Sequence, residues 1–245
     1  MNPRVTLAVA VRVLTQLRRD RRTMAMLLVL PCLLIALLWW MFEETGPTTF
    51  DQVGPALLAI FPFTVMFLVT SVTTLRERSS GTLERLLAMP MGKLDFLGGY
   101  ALAFGVVAAV QSVLAVALSV GLLGLEVQGP VWLLTAVAVA DALLGTALGL
   151  LVSAFAGSEF QAVQFMPAVV IPQILLCGLF VPRGDLPSVL GAISDLLPLS
   201  YATDAMTHLT RSAAVGEVLR DLGVVLVVAA AGLALGAVTL RRRTP

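Results

Sequence analysis

The chain has a single histidine, His208, and only two cysteines, Cys32 and Cys177, both inside long apolar runs. With no CxxC pair and no second imidazole, the residues for a disulfide framework or a zinc site of three or four protein ligands are missing. A serine hydrolase would have to be built on one histidine. Charge is scarce as well: Asp, Glu, Lys and Arg make up 13% of 245 residues, and the net charge is +1. The positions of the charges are therefore more informative than their sum, and no nucleic-acid partner is expected. At 7% aromatic, the chain offers few stacking surfaces for a sugar polymer.

What is abundant is apolar surface. Hydrophobic residues reach 58%, against roughly 45–50% in soluble domains, and the mean hydropathy is +0.96. A bilayer is the solvent such a chain requires. Crossing one takes about 20 apolar residues, and suitable runs lie at about 23–42, 53–75, 97–125, 160–182 and 222–240. A sixth, at 130–157, is interrupted only by Asp141, whose insertion cost of about 2.5–3.5 kcal/mol the surrounding Leu, Val and Ala offset. The first run is too long and starts too late for the core of a cleaved signal peptide. The predicted fold is an all-α polytopic membrane protein of six transmembrane helices, one transmembrane domain over 1–245.

Basic residues are distributed unevenly across the alternate sides. Arg4, Arg12, Arg18, Arg19, Arg21 and Arg22 precede the first run, Arg76, Arg78, Arg85 and Lys93 follow the second, and Arg241 to Arg243 end the chain. The positive-inside rule makes that side cytoplasmic, with both termini inside. Glu43, Glu44, Asp51 and Glu126 fall on the other side, and Trp39, Trp40 and Trp132 lie near the outer ends of their runs, as an aromatic belt would.

Three segments do not span. Residues 1–22 mix Val5, Leu7, Val9, Val11, Leu14 and Leu17 with arginines, a composition suited to a basic helix on the inner surface or simply to a topology anchor. The outer segment, 183–221, is broken by Pro187 and Pro198 yet rich in Leu, which predicts short helices tucked at the outer interface. In the loop at 76–96, Gly81 breaks the preceding helix, Ser80 or Thr82 can cap a new one, Glu84 suits its first turn, and Pro90 stops it. Leu83, Leu86 and Leu87 then form a narrow apolar stripe. Its receiver is either the membrane base of the chain itself or a groove in a separate subunit.

The run Arg76-Glu77-Arg78, then Gly81-Thr82-Leu83-Glu84, Leu86-Leu87 and Pro90, resembles the coupling-helix signature of ABC-2 type permeases, the membrane subunits of ATP-binding-cassette exporters that include daunorubicin-type drug efflux permeases. Ser79 departs from the pattern, where an acid would be expected. Gly178-Leu179-Phe180-Val181-Pro182, Leu186-Pro187 and Leu197-Pro198-Leu199-Ser200-Tyr201-Ala202-Thr203-Asp204-Ala205 are similar to the outer segment of that family. Arg19-Asp20-Arg21-Arg22 leading to a Leu-rich run with Pro31 resembles its N-terminal start. The resemblance implies a coupling segment that docks on an ATPase subunit, an outer gate with Gly178, Pro182, Pro187, Pro198 and Tyr201, a second permease chain, identical or not, and a prokaryotic plasma membrane.

ATP chemistry is expected from that partner, with ATP and Mg bound there and no cofactor in this chain. Gly92-Lys93 has no glycine five positions upstream and no Ser or Thr after the lysine, so a phosphate loop is not formed. Asp141, Gln111, Gln164 and Gln173 are candidates for the translocation path. Asp141 has two readings: a protonated acid that hydrogen-bonds a neighbouring helix, or a path residue. Gly145-xxx-Gly149 and Gly232-xxx-Gly236 read as packing devices. The expected cargo is a hydrophobic or amphiphilic compound, drug or lipid-like, with a lipid-linked glycan, a non-transporting scaffold or an ion-coupled carrier as alternatives.

Overall fold

The computed structural model describes residues 2–43, 47–79, 92–213 and 215–239. Nine α-helices and no strand occur among them: α1 Pro3–Arg19, α2 Arg21–Glu43, α3 Pro47–Ser79, α4 Lys93–Gly121, α5 Val131–Ser153, α6 Glu159–Leu176, α7 Ser188–Ser194, α8 Pro198–Arg211 and α9 Val215–Thr239, with a 3₁₀ turn at Arg183–Asp185. Six of them, α2 to α6 and α9, are long and apolar enough to cross a membrane. The chain is thus an all-α polytopic membrane protein. Residues 80–91, including Gly81 to Pro90 of the expected coupling helix, lie outside the described residues.

Helix α3 is the axis of the bundle. Its 33 residues extend about 50 Å at 1.5 Å per residue, well beyond a hydrocarbon core of about 30 Å. Against it lies α5, brought close by Gly145 and Gly149: a Cβ on either would stand 2.4 and 2.5 Å from the carbonyl oxygens of Phe63 and Phe67. Only glycine permits this backbone approach, so the 145–149 pair is a packing device. Gly232 of α9 approaches Ala147 more loosely, at 3.4 Å.

The core has two parts. Toward the end that carries α7 and α8, Leu58, Phe63, Leu134, Leu144, Leu199, Ala205, Met206 and Val225 join α3, α5, α8 and α9. Toward the arginine-rich end, Val9, Val13, Leu17, Leu27, Met66, Phe96, Tyr100 and Phe104 join α1, α2, α3 and α4.

The apolar stripe of α1, Val9, Ala10, Val13 and Leu17, is covered by protein rather than lipid; it lies on α4 at Gly99, where a Cβ would sit 2.5 Å from Val9 Cγ1. At the end opposite the arginine-rich one, α7 is exposed and α8 is buried between α3, α5 and α9. Leu199, Ala202, Ala205, Met206 and Leu209 form one apolar stripe on α8, and burial extends beyond it to Ser200, Thr203 and Thr210. In addition, α9 begins at Val215, with Glu217, Arg220 and Asp221 in its first turns, earlier than its apolar run.

Candidate functional site

At the arginine-rich end, local sequence sets the frame. Asp20 ends α1, its N–H bonded to the carbonyls of Gln16 and Leu17, and starts α2, its carboxylate accepting from the Thr23 N–H at 3.1 Å and the Thr23 hydroxyl at 2.7 Å. Those bonds hold its carboxyl below the ordinary aspartate range. Asp95, in the first turn of α4, accepts from the Asn2 N–H at 2.6 Å, the Gly92 N–H at 3.0 Å and the Thr6 hydroxyl at 3.4 Å. The backbone bond from Asn2, then that from Gly92, depresses its carboxyl. One aspartate thereby pins the start of α1 to the start of α4.

The final turns of α3 carry the first two residues of the expected coupling signature, and they point to different neighbours. Glu77 accepts from Arg12 Nη2 of α1 at 2.9 and 3.1 Å and from Gln16 Nε2 at 3.2 Å. Arg76 forks onto Glu159 of α6, with Nε to Oε1 and Nη2 to Oε2 both at 3.1 Å. The Arg76 pair is exposed on both sides and contributes about 0–1 kcal/mol, less in salt; the Glu77 carboxylate is largely covered. Between α1, α3 and α4 a cleft of about 370 Å³ is lined by Gln16, Asp20, Thr73, Arg76, Glu77 and Tyr100 among others. Ser158 caps α6 by accepting from the Gln161 N–H, which sets Glu159 at the helix start, facing Arg76.

In mid-bundle, Asp141 is fully buried and neither carboxylate oxygen has a hydrogen-bond partner; both amide atoms of Gln111 are likewise unpartnered. Gln173 instead bonds the Leu199 N–H through Oε1 and the Val169 carbonyl through Nε2, fastening α6 to the start of α8. Gln164 is exposed on α6, on a face with Phe160, Ile171 and Leu175.

At the end opposite the arginine-rich one, several side chains surround one cation. Arg183 donates through Nε to Ser194 Oγ at 2.9 Å, through Nη2 to Asp195 and through Nη1 to Asp204, and its guanidinium lies 5.1 Å from the Tyr201 ring centre. Ser194 in turn donates to the Leu176 carbonyl at 2.8 Å, and the Tyr201 hydroxyl donates to the Asp195 carbonyl at 2.8 Å. Burial pushes the Asp204 carboxyl above its ordinary range, opposed by Arg183. Gly178, at φ +97°, ends α6 in the left-handed region that glycine adopts without a Cβ penalty. Pro182 and Pro187 precede the 3₁₀ turn and α7, and Pro198 opens α8. The sequence reading named the prolines and Tyr201 but missed Arg183, Ser194, Asp195 and Asp204; a basic residue on the side poor in them was the available signal.

The profile of the ABC-2 type transporter family matches residues 4–210. The chain belongs to that family. ABC transporter G family member 20 of Dictyostelium discoideum is 26% identical over 64% of this chain and 21% of its own length. Probable multidrug ABC transporter permease YbhR of Escherichia coli (strain K12) is 28% identical over 62% of this chain and 41% of its own. Linearmycin resistance permease protein LnrN of Bacillus subtilis (strain 168) is 25% identical over 73% and 48%. The chain spans from about a fifth to about half the length of these relatives.

Proposed function

We propose that this ABC-2 type protein is the membrane subunit of an exporter that moves a hydrophobic or amphiphilic compound out of the cytoplasm or inner leaflet, using ATP hydrolysed on a separate subunit. Its arginine-rich end and both termini face the cytoplasm of a prokaryotic cell. The observation that carries the reading is α3. One helix of 33 residues leads into residues 80–91, is tied at that end to α1 through Glu77 and to α6 through Arg76, and packs on α5 and α8.

In this reading an ATPase subunit holds Leu83, Glu84 and Leu87, and its closure moves α3 together with α1 and α6. The displacement reaches the outer gate, where Gly178, Pro182, Pro187, Pro198 and Tyr201 frame the Arg183 cluster. A second permease chain seats on the exposed apolar face of α6, which brings Gln164 to the interface beside the path. Buried and unpartnered, Asp141 and Gln111 are the polar groups within the bundle for a cargo to meet. The multidrug and resistance permeases among the relatives support a drug-like or lipid-like cargo over a glycan.

The test is purification of the tagged chain from its native membrane in mild detergent. An ATPase polypeptide should co-elute in roughly equal amount and be lost when Leu83 and Leu87 are both replaced by Asp while membrane insertion persists. Elution without an ATPase under several gentle conditions would remove the motor and with it this reading.

A further inference from the structure

The elbow between α1 and α2 concentrates positive charge that no described carboxylate pairs with. Arg18 and Arg19 close α1, Arg21 and Arg22 open α2, and all four are exposed. None makes an ion pair with a described residue, while Arg12, Arg76 and Arg183 each have a carboxylate. The one acid in the elbow, Asp20, has both carboxylate oxygens bonded to Thr23. The first turn of α2 contains no acid, so Arg21 and Arg22 stand where a positive charge opposes the helix dipole.

The surface below the elbow suits a lipid. Arg22, Met26, Val29, Leu33, Leu37 and Trp40 follow one another at spacings of three and four along α2, and the five apolar members are 53–69% exposed. From Arg22 to Leu33 is about 16 Å at 1.5 Å per residue, roughly half of a hydrocarbon core of about 30 Å, the depth of one leaflet. On α1, Leu7 and Val11 are exposed as well, beside Arg18 on the same outward edge. Cations at the interface above an apolar track one leaflet deep complement an anionic headgroup above its acyl chains.

We infer that the α1–α2 elbow is a binding site for an anionic phospholipid of the inner leaflet, its phosphate held by Arg18, Arg19, Arg21 and Arg22 and its acyl chains lying on Met26, Val29 and Leu33. The site is independent of any cargo and anchors the end of the molecule where α1 docks on α4.

The test uses the full chain reconstituted in phosphatidylcholine vesicles containing a quarter phosphatidylglycerol, then extracted gently, with retained lipids counted by native mass spectrometry. Phosphatidylglycerol should be enriched several-fold over its bulk share at low salt and less at 0.5 M salt. Neutralising Arg18 and Arg19 together should bring the enrichment down to near the bulk share. Arg18→Gln/Arg19→Gln leaves Arg21 and Arg22 to set topology, and Arg18→Lys/Arg19→Lys should retain most of the preference. Equal retention of the two lipids by the unaltered chain would overturn the proposal. So would an unchanged preference in the Gln variant, or a Gln variant that keeps its lipid and loses a co-purifying ATPase, which would assign the elbow to a protein partner.

Discussion

The two ends of the bundle are held together by different physics. At the outer-loop end a single half-buried cation, Arg183, satisfies Ser194, Asp195 and Asp204 and lies beside Tyr201, so the 3₁₀ turn, α7 and α8 are fastened at one point. At the arginine-rich end the contacts are distributed: Asp95 holds the start of α1, Val9 and Val13 seat its middle on α4, Arg12 reaches Glu77, and Arg76 reaches Glu159 across an exposed gap. A hub fails as a unit, whereas a distributed set yields one contact at a time.

The sharpest way to break this contrast is Arg183→Ala. It leaves Asp204 partly buried without its cation and removes one of the hydrogen bonds to Ser194, and losing one member of such a pair costs about 3 kcal/mol. In a chain of this size that is about 6–12 °C in Tm, with hydrogen exchange rising together across 183–211. A loss confined to the 3₁₀ turn would mean that no hub exists. Next in size is Gly99→Val at the other end. The new side chain meets Val9 and the Thr6 carbonyl, and overpacking of this kind costs about 2 kcal/mol. Exchange should rise in residues 3–19 and leave α8 untouched; if α8 loosens equally, the two ends are one cooperative unit.

The sequence made some of these features legible and hid others for reasons that can be named. Six spans are visible because membrane insertion is decided by local apolar length, and Gly145 with Gly149 could be assigned to packing because close helix approach has a short signature. The burial of α8 was hidden: Ala202 and Ala205 look neutral until neighbouring helices close on them. Arg76 and Glu77 were marked by resemblance, but their partners Glu159 and Arg12 lie 83 and 65 positions away, and no local pattern links them. Arg183 gave only the hint of a basic residue on the side poor in them. Asp141 stood out in the sequence, and its unpartnered oxygens are what the sequence could not supply.

The smallest expected effect separates the ends by the sign of their response to acid. Backbone N–H groups of Asn2 and Gly92 keep the Asp95 carboxyl below the ordinary aspartate value of about 4, so the stability it contributes is present above that value and is lost as pH falls through the depressed one. Burial keeps the Asp204 carboxyl above the ordinary value despite Arg183. Its contribution therefore has the opposite sign: it is present below the ordinary value and lost as pH rises through the raised one. On acidification from neutral pH, α1 should exchange faster relative to its intrinsic rate, while α8 holds or tightens. Asp95→Asn should remove the response of α1 and leave that of α8, because the amide oxygen still accepts one N–H but no longer titrates. Parallel loosening of both helices in the parent chain would show that acid acts on the bundle as a whole, and that the difference between a hub and a distributed seam does not extend to their ionisation.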